Sequence, residues 1–378
     1  MANPDVRRIA LAAALGTSML GTAVTLAGLP PAPLNTYFGS LDAYHLLAAG
    51  LGPREAFERA RLVDRMDFLT ITSPAYSSSL SASAASENAR LEGRFVAMSG
   101  WRYSSTSDRS YVNVLELSDG PGGNIPLGRY DQFYRSWLPR LTDTTAGRPI
   151  LQFGQPLDPA SDYGVVDMNS LEALRQVSAP YVRTIQIAGG SCTGDRRRAS
   201  DHVAMQPYLQ YLNAGFRLAP TANPQNSLLT DGPDTDCRTA VLSRRLTKMD
   251  ILDGIRQRRV YASEDRNLKV VFSINGQPMG SIVTMAAGTP LRIELIVSDP
   301  DEAGATYWFS LRRDTPGGEL EAARELYGTD FTGDGTVVFA QFTHGASDEY
   351  FLARIVQEST DGTDSVWTAP IWLVSPPR

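Results

Sequence analysis

Apolar positions along the chain fall into three regimes. From Ile9 to Leu29 they form one uncharged run, IALAAALGTSMLGTAVTLAGL. From Asn35 to Asp265 short apolar runs alternate with helical patterns, and from Arg266 onward the period becomes two. At about 1.5 Å of rise per residue, a helix as long as the first run spans about 30 Å, the thickness of a bilayer core. It is therefore expected to be a transmembrane helix, ended by the stiff Leu29-Pro30-Pro31-Ala32-Pro33.

In the second regime Pro53 to Leu62 predicts a helix with proline near its start, and Met66 to Thr72 a buried strand after it. Ser77 to Ser86 is mostly Ser and Ala and is expected to be a loop. Further strands are expected at Arg94–Met98, Tyr111–Leu115, Pro149–Phe153, Val182–Ile187 and Phe216–Leu218. Thr247-Lys-Met-Asp250 resembles a capping box opening a helix with the stripe Ile251, Leu252 and Ile255. Such alternation predicts an α/β architecture.

In the third regime Leu291, Ile293, Leu295 and Val297 alternate with Arg292, Glu294 and Ile296, the mark of a half-buried strand. Leu268–Ile274, Thr306–Leu311, Thr336–Phe342, Tyr350–Val356 and Val366–Leu373 repeat the pattern, and Asn275-Gly276 signals a hairpin turn. Six or more short strands in sequence predict an immunoglobulin-like β-sandwich. The chain is thus expected to divide into 1–34, an anchor and Pro-rich linker; 35–265, an α/β domain; and 266–378, a β-sandwich.

Composition narrows the chemistry. A net charge of -6 supplies no sequence-wide basic field, and no zinc-knuckle or basic-aromatic pattern is present, so nucleic acid is set aside as a partner. Two cysteines, Cys192 and Cys237, and three histidines, His45, His202 and His344, leave little from which to build a histidine- or cysteine-based metal site. The cysteines are read either as one disulfide, closing a loop of about 45 residues and contributing roughly 3–4 kcal/mol, or as two core thiols. Arg7 and Arg8 before the apolar run place the N-terminus in the cytoplasm and the body in the periplasm, making an inner-membrane, single-pass protein. Acidic turns at Asp299, Asp301 and Glu302, and at Asp330 and Asp334, match no EF-hand loop.

Several motifs resemble those of the PHP-like metallohydrolases, the polymerase and histidinol phosphatase superfamily, in particular its carbaryl-hydrolase-like branch and related uncharacterised bacterial proteins. They are Gly39-Ser40-Leu41-Asp42-Ala43-Tyr44-His45, Thr72-Ser73-Pro74, Gly100-Trp101-Arg102-Tyr103, Gly154-Gln155-Pro156 and Pro224-Gln225-Asn226-Ser227, with longer matches at Tyr208–Thr221 and Arg256–Glu264. The resemblance implies a distorted β/α barrel with metals at one mouth, followed by a β module. The positions matching the family's metal ligands hold Asp42, Tyr44, Ser73, Pro74, Arg102, Gln155, Gln225 and Ser227. Most are poor ligands, and Arg102 places a cation where the family places a carboxylate.

These substitutions lead to the expectation of a degenerate, non-catalytic member with no cofactor. It would be an accessory or scaffold subunit whose partners are protein subunits of a larger membrane complex, such as a photosynthetic reaction centre with antenna or a respiratory assembly. Two alternatives stand beside it. One is a periplasmic metal-dependent hydrolase rebuilt around Asp42, His45 and Asp67; the other is a small-molecule-binding module using the barrel mouth.

Overall fold

Strands Asn35–Ser40 (β1), Phe68–Ser73 (β2) and Val96–Ser104 (β3) run parallel, and Tyr111–Leu115 (β4) turns back against β3. Ile150–Gly154 (β5) is antiparallel to β4, and Val182–Gly189 (β6) and Ala219–Asn223 (β7) follow parallel to it. On the other side of β1 lie Arg238–Ser243 (β8) and Val260–Ser263 (β9), both in antiparallel pairs. The computed structural model describes residues 33–44, 50–74, 78–104, 111–116, 130–140, 149–154, 170–189, 200–224, 237–317, 324–359 and 362–377.

The hydrogen-bonded order β9-β8-β1-β2-β3-β4-β5-β6-β7 ends at β7 without returning to its start. The expected distorted β/α barrel is therefore corrected to an open, mixed sheet that curls. Side chains span the gap. Thr239 of β8 donates to the Ala222 carbonyl of β7 at 2.8 Å, and Asn223 Oδ1 accepts the Leu41 amide at 2.9 Å. A barrel replaces both edges by backbone pairing; here side-chain hydrogen bonds stand where that ladder would run.

Helices Pro53–Leu62 (α1) and Ser78–Arg90 (α2) cover one face of β1–β3, burying Phe57, Ala60, Leu80 and Ala84 against Leu69, Ile71 and Ala97. The Ser/Ala stretch expected to be a loop is thus largely helical. Ala favours helix, and Leu80, Ala84 and Glu87 share one face at i, i+4 and i+7 and are buried. Asn88 fixes α2 to β3 by donating to the Ala97 carbonyl and accepting its amide, at 2.7 and 2.9 Å.

Helices Leu171–Ser178 (α3) and Ser200–Asn213 (α4) precede β6 and β7, and Lys248–Arg256 (α5) joins β8 to β9. Thr247 caps α5 by accepting the Asp250 amide at 3.2 Å. Its hydroxyl also donates to the Asp250 carboxylate, so the reciprocal arm of a capping box is absent.

The remaining strands are Lys269–Ile274 (β10), Gln277–Pro278 (β11), Ile282–Thr284 (β12), Pro290–Ser298 (β13), Thr306–Asp314 (β14), Arg324–Thr332 (β15), Gly335–Thr343 (β16), Glu349–Ser359 (β17), Gly362–Thr368 (β18) and Ile371–Val374 (β19). They form two antiparallel-rich layers around one apolar core. The sheet β11-β10-β13-β16 presents Phe272, Ile293, Leu295 and Phe339, while β14, β17 and β19 present Phe309, Leu311, Ile355 and Ile371. Phe309 stacks on Phe339 with ring centroids 5.3 Å apart. Asn275 and Gly276 both take positive φ in the two-residue turn between β10 and β11, as the hairpin signal requires. Because β18 pairs with β9, the outer layer continues into the first sheet, and Leu34–Arg378 form one compact unit.

The transmembrane expectation is also corrected. Among the described residues no helix is long and apolar enough to cross a membrane. The longest, α4 with 14 residues, is about 21 Å long at 1.5 Å per residue, short of a bilayer core. Ile9–Leu29 lies outside the described residues, and the single-pass, inner-membrane localisation built on it is not carried further.

One charged cluster sits where the two halves join. Asp265, after β9, accepts the Asn267 and Leu268 amides at 2.6 and 2.5 Å. Burial, followed by Asp299 and Asp364, outweighs these bonds and pushes its carboxyl up to about 7. In the unfolded chain the same group ionises near 3.9. The folded state therefore holds the proton longer, and stability falls as pH rises from about 4 to about 7, then levels off. Asp265→Asn keeps an acceptor for both amides and is expected to flatten that slope in urea unfolding across pH 4–8; an unchanged slope would assign the effect elsewhere.

Candidate functional site

The carboxyl ends of β1, β2, β3, β6 and β7 and the amino end of β4 meet at one end of the curled sheet. Asp42, two residues past β1, is 1% exposed. Its carboxylate accepts the Thr72 hydroxyl at 2.5 Å and the Tyr111 hydroxyl at 2.6 Å. Arg102 Nη1 stands 4.0 Å from Asp42 Oδ2. Gln186 Oε1 lies 3.1 Å from the Tyr111 hydroxyl and accepts from Asn223 Nδ2 at 3.1 Å. Asn223 also accepts from Thr239 and from the Leu41 amide, tying β7 to β8 and to the segment after β1.

Arg102 is held by rings as well as by charge. Its guanidinium carbon lies 3.4 Å from the Tyr111 ring centroid and 4.6 Å from that of Tyr44, so cation–π contact fixes it on two sides. Tyr111 in turn lies across Gly154, where an added Cβ would collide with its Cε2 and Cζ. Gly154, Tyr111, Arg102 and Tyr44 thus form one stack over the Asp42 carboxylate.

Below the stack the sheet interior is neutral and polar. Asn113 donates to Gln152 at 2.9 Å and Gln152 donates to Thr221 at 2.9 Å, all three fully buried. Deeper still, Phe68, Val96, Leu115 and Ile150 belong to the main apolar core.

Of the positions singled out in the sequence, Asp42, Tyr44 and Arg102 converge here. Ser73 is half-buried at the end of β2, and the Pro74 carbonyl accepts Trp101 Nε1 at 3.1 Å. His45, Gln155, Gln225 and Ser227 lie outside the described residues. Cys237 is buried and disulfide-bonded, and Cys192, the other cysteine of the chain, lies outside the described residues. Asp67 is elsewhere: it precedes β2 and accepts the Phe38 amide at 2.8 Å. It stands five residues before Thr72, which is about 16 Å along the strand. Asp42 and Asp67 therefore cannot serve one reacting group.

Gln186, Asn113 and Gln152 belong to the site although no motif marks them. Their signal is polar side chains at every second position of otherwise apolar strands, as in Thr184-x-Gln186 and Thr221-x-Asn223.

The donor set does not fit a divalent cation. The carboxylate at this end is already engaged by two hydroxyls and faced by a guanidinium, and among the described residues no group of three or more His, Cys, Asp or Glu side chains could hold a metal ion. No family model matches the chain, and no curated protein matches it.

Asp42→Ala removes the acceptor of the Thr72 hydroxyl, one of the acceptors of the Tyr111 hydroxyl and the carboxylate facing the half-buried Arg102 guanidinium, and is expected to destabilise the protein by about 3 kcal/mol. Gly154→Ala, which displaces the Tyr111 ring, is expected to cost about 1–3 kcal/mol. Urea midpoints check both; wild-type midpoints would show that the stack holds nothing together.

Proposed function

We propose that this protein acts by contact with protein partners, as a non-catalytic accessory or scaffold subunit, and that the Asp42 end of the sheet has become structural. The observation that carries this reading is the saturation of Asp42. General-base work needs a carboxylate free to take a proton from water or substrate. Here both oxygens accept from Thr72 and Tyr111, and the guanidinium of Arg102 lies beside them. The alternative of a hydrolase rebuilt around Asp42, His45 and Asp67 is opposed by the separation of its two carboxylates at two ends of β2.

Support for a contact role comes from the outer face of the four-stranded sheet. Ile296 and Val338, 39% and 44% exposed, share the outer face of β13 and β16, where Ile296 stands opposite Thr336 and Val338 opposite Glu294. Two exposed branched apolar side chains set diagonally on one solvent face are consistent with a contact surface. Leu62 and Met249, 62% and 70% exposed, stand apart from this patch.

Purified protein is expected to hold no stoichiometric zinc or manganese and to leave phosphate, carboxylate and carbamate esters intact with either metal added. Affinity purification is expected to recover a fixed partner set from wild type that Ile296→Lys/Val338→Lys loses at unchanged melting temperature. Metal-dependent turnover abolished by Asp42→Asn would overturn the proposal.

A further inference from the structure

The free edge of a sheet carries unpaired amides and carbonyls that template another strand, and proteins guard such edges with charge, proline or brevity. Three strands at the ends of these sheets are guarded in this way. β11 has two residues and ends on Pro278, β12 has three, and β15 carries Arg324, Glu325 and Asp330 along its length. β16 is not. It runs nine residues, GTVVFAQFT, with no charge and no proline, and among the described residues it pairs only with β13. Outside that ladder no described backbone hydrogen bond is made from Thr336 to Phe342.

A bulge limits how much of this edge is regular. The register with β13 runs one to one from Val297↔Gly335 to Ile293↔Phe339 and shifts before Leu291↔Phe342. Gly335–Phe339 is therefore the straight segment, and the strand bends past it. Thr336 and Val338 of this segment are exposed on the solvent face, while Val337 and Phe339 turn toward the core.

Any extended strand can satisfy the backbone of a free edge, so side chains decide which one fits. A second copy of β16 fits this edge. In antiparallel pairing about a two-fold axis at Val337, that residue meets its own counterpart, Thr336 meets the partner's Val338, and Gly335 meets the partner's Phe339. β-branched side chains pack well across strands, and an aromatic opposite an edge glycine covers bare backbone. The first charged residue, Asp334, lies outside the paired segment, so no like charges face each other.

We propose that two copies of this chain pair β16 with β16 in this register, joining two four-stranded sheets into one continuous sheet. A two-fold interface closes on itself and gives a dimer rather than a fibre. The pairing sets Ile296 and Val338 of both copies on one face, and it stands without the contact role proposed above.

Sedimentation equilibrium of the full chain from micromolar to millimolar protein is expected to show wild type passing from monomer to dimer. Thr336→Glu and Val338→Lys each place a charge at the edge, and each is expected to weaken self-association about tenfold or more, because a symmetric pair carries the change twice. Both positions are solvent-facing, so melting temperatures in dilute solution are expected to match wild type, which separates lost pairing from lost folding. Mixed in equal amounts, the two variants are expected to form a heterodimer tighter than either homodimer, since the introduced carboxylate then faces the introduced cation. Thr336→Glu leaves Ile296 and Val338 in place, so loss of its dimer with retention of its partner set tells this pairing from the contact role. The proposal is overturned if wild type stays monomeric at millimolar concentration or if both variants dimerise as wild type does, and a mixture that gains no heterodimer overturns the register.

Discussion

A buried carboxylate has to be met by donors, and in this protein the way Asp42 is met organises the first half of the chain. Its partners come from three strands: Thr72 from β2, Arg102 from β3 and Tyr111 from β4. The stack above it requires a glycine on β5, because Tyr111 occupies the volume that a side chain at 154 would fill. A buried ion pair contributes little net stability against an apolar replacement, yet losing one partner is costly. Asp42 therefore acts chiefly as a constraint on register. A strand displaced by one residue would leave a charge in the interior without its donors.

The same logic explains why the sheet can curl without closing. In a barrel the last strand pairs with the first through its backbone. Here β7 reaches β8 and the segment after β1 through Asn223 and Thr239. The amide side chain of Asn223 accepts at one end and donates to Gln186 at the other, so it can substitute for a strand at the seam. This neutral interior has a cost: Asn113 Oδ1 and Gln186 Nε2 are buried without a hydrogen-bond partner. An unmet amide atom costs about 1–3 kcal/mol, and the apolar core beneath, with Phe68, Leu115 and Ile150, offsets it.

How much of this the sequence disclosed depends on what each residue faces. The alternation at Leu291–Val297 was legible because one face of β13 meets solvent and the other the core. At Phe216–Leu218 the apolar residues point to a strand, but β7 begins at Ala219 and these two side chains enter the same core from the link before it. Val366–Leu373 divides into two strands at Ala369-Pro370, since proline lacks the amide that continued pairing requires. β15 carries Arg324, Glu325 and Asp330 along a strand that pairs only with β14 among those described, and its charges concealed it. The convergence of Asp42 with Arg102 was implied by motif positions, but their pairing was not. Spacing along a chain does not reveal that a guanidinium will sit between two rings.

The electrostatics of the Asp42 end bear on whether a small molecule should bind there. At the carboxyl end, charge is met from within: one carboxylate, one guanidinium and two hydroxyls leave no net charge to attract a ligand. The end that resembles a catalytic mouth is thus the electrostatically closed one.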